Sequence, residues 1–207
     1  MARASSGGKF ITLEGVDGAG KSTHIPWIGE RLRVRAAEVI VTREPGGTPF
    51  AEKMRALVLA EPMDALAETL LIFAARADHV RQVIAPALAR GAWVACDRFT
   101  DATLAYQGGG KGVPEALIRQ LAQAAHPGLA PDLTLVFDCP YQIARARLEG
   151  TGRQLDRFES EGEGFFDRVR DAYRRLAQQE PGRVRLIDAA RGAKQVKVMV
   201  EKELSTI

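Results

Sequence analysis

The run Gly15-Val16-Asp17-Gly18-Ala19-Gly20-Lys21-Ser22 limits what this chain can fold into more than any other stretch. It has the form G-x-x-x-x-G-K-[ST], lies just after an apolar run, Phe10 to Leu13, and opens a helix-forming segment. That order has a physical cause. Glycines let successive backbone N–H groups turn inward as an anion nest, and a helix N-terminus adds the positive end of its dipole. Lys21 then reaches the β- and γ-phosphates of a nucleotide, and the Ser22 hydroxyl is placed to ligate Mg²⁺. Gly15, Val16, Asp17, Gly18, Ala19, Gly20, Lys21, Ser22 and Thr23 are therefore the expected ATP-binding stretch.

Such a loop needs a strand behind it, and five short β-rich runs recur along the chain. They are Phe10 to Leu13, Val39 to Thr42, Trp93 to Cys96, Leu133 to Phe137 and Val184 to Ile187. Each is nearly continuous in apolar residues, as expected where helices cover both faces of a parallel sheet. Helical stretches are read at Ile25 to Arg35, Asp64 to Arg90, Pro114 to Ala125, Tyr141 to Glu149, Gly164 to Gln179 and Ala193 to Leu204. The alternation predicts an α/β fold: one P-loop domain over residues 1–207, a five-stranded parallel sheet flanked by helices. Pro26 is tolerable only in a first helical turn that is still forming, and Pro86 should kink or divide the long helix. Gly150 to Gly164, rich in glycine and charge, reads as a mobile lid.

The third strand run ends in Asp97-Arg98. An apolar strand ending in aspartate is how P-loop proteins bring a carboxylate to Mg²⁺, so Ser22 and Asp97 form the expected metal pair. Other classes fail by absence. A guanine reader needs asparagine, and this chain of 207 residues has none. No Leu-Ser-Gly-Gly signature occurs, and the Gly15 to Gly20 spacing is not that of a dinucleotide-binding loop.

Composition narrows the partners. Net charge is only +3 despite a pI near 9.0, and the arginines between Arg145 and Arg175 are interleaved with acids. That reads as a solvated face or a phosphate site before a nucleic-acid surface, so no nucleic-acid partner is expected. No apolar run is long enough to cross a bilayer, and the first nine residues read as a frayed tail without a signal-peptide core. Cys96 and Cys139 are the only cysteines and read as buried, reduced thiols of a cytoplasmic protein. His24, His79 and His126 have no ligand or triad spacing and read as structural.

Further runs carry a resemblance. Phe10-Ile11-Thr12-Leu13-Glu14-Gly15, Thr42-Arg43-Glu44-Pro45-Gly46-Gly47-Thr48, Phe73-Ala74-Ala75-Arg76, Asp97-Arg98, Ala105-Tyr106-Gln107-Gly108-Gly109-Gly110 and Leu155-Asp156-Arg157-Phe158-Glu159 resemble the bacterial thymidylate kinase family in order and spacing. The resemblance implies transfer of the γ-phosphoryl group of ATP to dTMP, with Mg²⁺, in a homodimer. The apolar face of the Leu66 to Ile84 helix is the expected interface. It implies that Asp17 meets the sugar 3′-hydroxyl, that Arg98 grips the acceptor phosphate, and that Arg76 faces thymine O4. Thr103 and Gln107 complete the base edge, and Tyr106 packs beneath the deoxyribose. Arg43 and Pro45 shape the pocket wall, with Glu44–Pro45 a candidate cis bond. Adenine is expected near Ala189 to Gly192.

Two positions depart from the family pattern. Where an aromatic usually stacks on thymine, four residues before Arg76, this chain has Ile72; either Phe73 stacks instead or Ile72 is an apolar floor. The loop has Gly18 and Ala19 where one branch of the family carries an arginine, so the lid should supply the transition-state cation; Arg153, three residues before Asp156 and one off the family spacing, is the first choice, with Arg147 and Arg157 also candidates. Lys21, Arg98, Arg153 and Arg157 are thus the expected catalytic residues. A kinase for another nucleotide or deoxynucleoside, and a P-loop ATP switch, are the alternative readings.

Overall fold

Every apolar run forms a strand, and each strand continues past the run onto polar residues at its carboxyl end. The computed structural model describes residues 7–207. Its strands are β1 (Phe10–Gly15), β2 (Val39–Arg43), β3 (Trp93–Asp97), β4 (Leu133–Asp138) and β5 (Val184–Asp188). They form one parallel sheet in the order β2-β3-β1-β4-β5. β1, wholly buried, lies at its centre. The chain passes to one side of β1 for β2 and β3 and to the other for β4 and β5. β1 is thus the switch point where α/β sheets open a ligand crevice. Of the first nine residues, read above as a frayed tail, residues 1–6 lie outside the described residues. Lys9 is not frayed: its ammonium lies 3.0 Å from Asp132, whose other oxygen accepts from Phe10 N at 2.9 Å.

The helices are α1 (Lys21–Arg33), α2 (Pro49–Ala60), α3 (Ala65–His79), α4 (Ala85–Ala89), α5 (Thr100–Thr103), α6 (Glu115–Ala125), α7 (Tyr141–Glu149), α8 (Glu163–Gln179) and α9 (Ala193–Leu204). α1 starts four residues earlier than expected. Pro26 therefore sits beyond the first turn, and its missing N–H leaves the Ser22 carbonyl without an intrahelical donor. The sequence reading did not assign α2, whose apolar periodicity is shallow; only Ala51 and Val58 are buried. Its start is nonetheless marked: Thr48 accepts from Ala51 N at 3.0 Å, and Pro49 follows at the first helical position.

The long helix divides as expected. Asp64 caps α3 through Leu66 N and Ala67 N, both at 2.9 Å. Between α3 and α4 lies a π-helical turn, Val80–Ile84, closed by Ala85 N to Val80 O. The wider turn falls where the Pro86 ring would press on the Gln82 carbonyl. A second π-helical run, Leu104–Gly110, follows α5. Its glycines let α8 approach: a Cβ on Gly109 would stand 2.6 Å from the Ala172 Cβ. The segment between α7 and α8 is not wholly polar as expected. Phe158 and Glu159 are buried, and Asp156 Oδ1 orders the turn by accepting from Phe158 N (2.9 Å) and Glu159 N (3.0 Å). Cys96 and Cys139 are both free and buried.

One carboxylate ties strand, turn and helix together. Glu14, fully buried on β1, accepts from Phe99 N at 2.7 Å and from the Tyr173 hydroxyl of α8 at 2.7 Å. Burial first, then the nearby Asp101 charge, pushes its pKa from 4.5 up to about 8, against the pull of Arg98 and the two donors. The unfolded chain releases this proton near 4.5, while the native state keeps it to about 8. Between those values the native state binds the extra proton, so this contribution to stability falls as pH rises. Glu14→Gln should flatten the stability–pH curve between pH 5 and 8 by up to about 1.4 kcal/mol per pH unit. Denaturant titrations of both proteins check this; parallel curves would mean that Glu14 titrates normally.

Candidate active site

The loop from β1 to α1 depends on glycine at its bends. Gly15 and Gly18 have φ of 127° and 77°, and a Cβ on either would collide with the backbone of Phe137 or Ala144. Gly20, also at positive φ, caps α1 without a side chain, so nothing covers the first helical N–H groups. Lys21 folds back over the loop, its ammonium 3.1 Å from Gly15 O and 3.3 Å from Val16 O. Burial lowers its pKa and Arg98 adds to this, against Asp97, Asp17 and Glu14. Ser22 and Thr23 are exposed at the loop's mouth, and Val16 and Ala19 are buried beneath it.

Ser22 and Asp97 line one cleft, which also holds Arg43 and Glu52. Asp97 Oδ1 is buried there without a hydrogen-bond partner. Among the described residues no cluster of three or more His, Cys, Asp or Glu side chains could hold a metal alone. One carboxylate beside a hydroxyl suits Mg²⁺, which keeps waters and takes further oxygens from phosphates.

On the other side of the loop a pocket begins at Asp17. Its Oδ1 lies 2.6 Å from Arg98 Nη2, and Oδ2 accepts from the Tyr106 hydroxyl at 2.8 Å. Burial would raise the Asp17 pKa, but Arg98, Lys21 and the Tyr106 hydroxyl hold it below the usual carboxylate value. Arg98 also donates to the Gly15 carbonyl at 2.9 Å and the Tyr106 hydroxyl at 2.9 Å, and stacks 4.6 Å from that ring. Its φ of 70° is left-handed, a conformation unusual for an arginine, and its own N–H is fixed on Leu13 O at 2.9 Å. Arg55 of α2 lines the same pocket, bonded to the Pro45 carbonyl at 3.1 Å. Burial, then Arg43 and Arg98, lowers its pKa; among the described residues it forms no ion pair. The sequence reading missed Arg55 because it lies on the unassigned helix and no local motif marks it.

The far end of the pocket is built around Arg76, which is 1% exposed. Its Nε lies 2.6 Å from Glu44, Nη1 donates to Thr103 at 3.0 Å, and Nη2 to the Phe99 carbonyl at 3.0 Å. Three of five N–H groups are thus used, leaving two for a ligand. Glu44 also contacts His79 Nδ1 at 3.0 Å, and His79 Nε2 meets Thr42 at 2.7 Å, so this histidine is structural as expected. Thr103, Tyr106 and Gln107 all line the pocket, as does Pro45 after a cis peptide bond.

Two expected pocket residues are not there. Arg43 pairs with Glu52 at 3.0 Å and faces the Ser22–Asp97 cleft instead. Phe73 packs under the Arg76 guanidinium, 4.7 Å away, and does not line the pocket. Ile72, four residues before Arg76, shares its helix face and forms the floor. Besides Tyr106, the pocket takes an aromatic from the lid: Phe158, with Asp156 beside it. The Phe158 ring meets Tyr106 edge-on at 6.0 Å.

The candidate arginines separate. Arg147 donates to Ala19 O of the loop at 3.3 Å. Arg153, half exposed, pairs with Glu159 and lies near enough to Asp17 for that charge to raise its pKa, after Glu159 and Asp156. Arg157 is held by Glu68 and by Val58 O at 2.5 Å. Neither Arg153 nor Arg157 lines the pocket.

Known proteins show the family. The family model described as thymidylate kinase matches residues 13–200. A thymidylate kinase of Bordetella pertussis is 56% identical over 197 residues, covering 95% of this chain and 94% of the relative. One from Cupriavidus metallidurans is 54% identical over 200 residues, covering 97% and 99%. The crystal structure of thymidylate kinase from Ehrlichia chaffeensis superposes with a TM-score of 0.78 at 34% identity, covering 96% of this chain and 99% of that one. With this match over most of its length and these likenesses, the chain belongs to the thymidylate kinase family.

Proposed function

We propose that the protein transfers the γ-phosphoryl group of ATP to dTMP, giving dTDP and ADP. One observation carries the reading: a single pocket runs from the loop carboxylate Asp17, paired with Arg98, to the buried Arg76. Its two ends suit the two ends of a deoxynucleotide. Arg98 and Arg55, the latter without an ion pair among the described residues, offer charge to the acceptor phosphate. Asp17 accepts from a sugar 3′-hydroxyl, with Tyr106 beneath the ring. Arg76 donates to thymine O4, Gln107 and Thr103 meet the rest of the base edge, and Ile72 and Phe158 supply the apolar walls.

The acceptor phosphate needs no protein nucleophile. One of its oxygens attacks the γ-phosphorus while the bond to the β-phosphate oxygen breaks and ADP leaves, so catalysis is alignment and charge neutralisation. Lys21 and the loop N–H groups hold the donor phosphates. Ser22 and Asp97 would hold Mg²⁺, which supplies positive charge against the phosphates when bound. Arg147 of α7, bonded to the loop carbonyl of Ala19, contacts the donor side, and the adenine rests toward Ala189 to Gly192. Arg153 is the lid cation that swings from Glu159 onto the transferring group, and segment 150–162 excludes water when it closes. Arg157 serves to seat that lid.

The place of work is the cytoplasm; among the described residues no helix is long and apolar enough to cross a membrane. The partner is a second copy. Leu66 and Leu70 on α3 are each nearly half exposed at i, i+4 spacing, and Phe50 and Leu57 on α2 are similarly open.

A coupled ADP-release assay over a panel of nucleoside monophosphates, with and without Mg²⁺, tests the reaction. Turnover should require dTMP and Mg²⁺, and ATP hydrolysis that ignores all monophosphates would defeat the proposal. Lys21→Ala should abolish turnover with the fold intact by circular dichroism, because the change removes charge stabilisation more than packing.

Arg153→Ala should lower kcat by at least about 10²-fold with little change in KM for dTMP, as expected for a contact made mainly in the transition state. Retention of more than about half the wild-type kcat would move that role to Arg147. Leu66→Glu/Leu70→Glu should convert a dimer to a monomer in sedimentation equilibrium; an unchanged mass would place the interface elsewhere.

A further inference from the structure

Glu68 has no role in the reaction outlined above, yet its side chain is fully buried and is approached from three directions. It stands on the pocket face of α3, at i−4 and i−8 from Ile72 and Arg76. Gln107 Nε2 donates to its Oε1 at 2.8 Å. Lys111 Nζ donates to its Oε2 at 2.7 Å, and Arg157 of the lid donates to that same oxygen. We propose that Glu68 is a positioning residue that joins base reading to lid seating: it turns the Gln107 carbonyl toward the acceptor base and fastens the lid through Arg157. The inference rests on the function proposed above.

The first half follows from hydrogen-bond inventory. An isolated glutamine amide can present either its oxygen or its –NH2 to a ligand. Here the carboxylate accepts from all three neighbours, so the Gln107 group that meets it is the –NH2. The amide is planar, which leaves its oxygen as the free polar group, and Gln107 lines the pocket. An oxygen fixed there accepts an imide N–H, as in a thymine ring. Facing cytosine, it meets the lone pair of N3 and is repelled. Glu68 thereby removes the one rotation that would let Gln107 accommodate either base.

The second half follows from what the lid touches. Of the three partners only Arg157 comes from segment 150–162. Phe158, next to it, lines the pocket with its ring 4.6 Å from the Arg157 guanidinium and 4.7 Å from Lys111 Nζ. When Arg157 meets Glu68, Phe158 is set against the pocket wall. One buried carboxylate therefore answers to both events.

Glu68→Gln keeps the size but offers an amide that satisfies Gln107 in either orientation, and it gives up both ion pairs. Steady-state kinetics with dTMP and dCMP should show KM for dTMP raised about tenfold and the kcat/KM preference for dTMP over dCMP narrowed about tenfold, with KM for ATP within about twofold. Arg157→Gln keeps the Glu68–Gln107 contact. It should raise KM for dTMP while leaving the base preference within about twofold of wild type.

A folded Glu68→Gln protein with wild-type preference overturns the inference, whatever its melting temperature, since a merely structural role would not move that ratio. A wild-type protein with no preference for dTMP instead overturns the function proposed above, and this inference with it. Should Glu68→Gln fail to fold, chymotryptic cleavage at Leu155 and Phe158 decides. Cleavage should be faster in Arg157→Gln than in wild type, and equal rates overturn the seating role.

Discussion

The ion pair between Asp17 and Arg98 is where the loop, the sheet and the pocket meet. Asp17 belongs to the turn after β1, and Arg98 to the turn after β3, the strand paired beside it. Taking both charges part of the way out of water is costly, and further hydrogen bonds around the pair offset that cost. Gly15 O, the Tyr106 hydroxyl and Tyr173 complete the set around Arg98. Removing either charge would leave the other half-buried without its partner. The left-handed φ of Arg98 is held by the same contacts, together with Glu14 bonded to the next backbone N–H, Phe99.

The other buried charges follow the same logic and are spaced along one helix face. At the inner end of α3, Glu44 is shared by Arg76 and His79. At its outer end, Glu68 is shared by Lys111 and Arg157. Between them lies the apolar Ile72. The pocket therefore has an apolar floor between two polar clusters, each held by its own hydrogen bonds. Rigid first partners are what alignment catalysis needs, because a misplaced acceptor oxygen forfeits the advantage of proximity.

The departure at Ile72 is met across the pocket. Phe158 supplies the aromatic surface from the lid, so the side chain that packs the pocket arrives with the segment that closes it. Placing the aromatic there makes the pocket wall depend on lid position, a dependence that an aromatic on α3 would not have.

Much of this was legible in the residues. The spacing of Gly15 to Ser22 dictates a turn of glycines before a helix, because no side chain fits where the loop crosses Phe137 and Ala144. The five apolar runs dictate a sheet covered on both faces. Their ends were read short, since apolarity stops at Asp97 or Asp138 while the ladder hydrogen bonds continue onto them. Arg76, Thr103, Tyr106 and Gln107 were placed by the family resemblance, and all four line the pocket.

What the sequence left open depends on how elements turn toward one another. Ile72 and Phe73 are adjacent and both apolar. Which one meets the pocket depends on the rotation of α3, set by Glu44, which binds both Arg76 and His79 of that helix. Arg55 sits on a helix with little periodicity, and only its approach to Pro45 brings its charge into the pocket that Arg98 lines. Arg147, Arg153 and Arg157 look alike in sequence. They differ only in which acceptor the fold sets beside each: a loop carbonyl, Glu159 or Glu68. Local chemistry thus determined the loop and the strands, while the tertiary structure decided which charges were paired and which were left free to act.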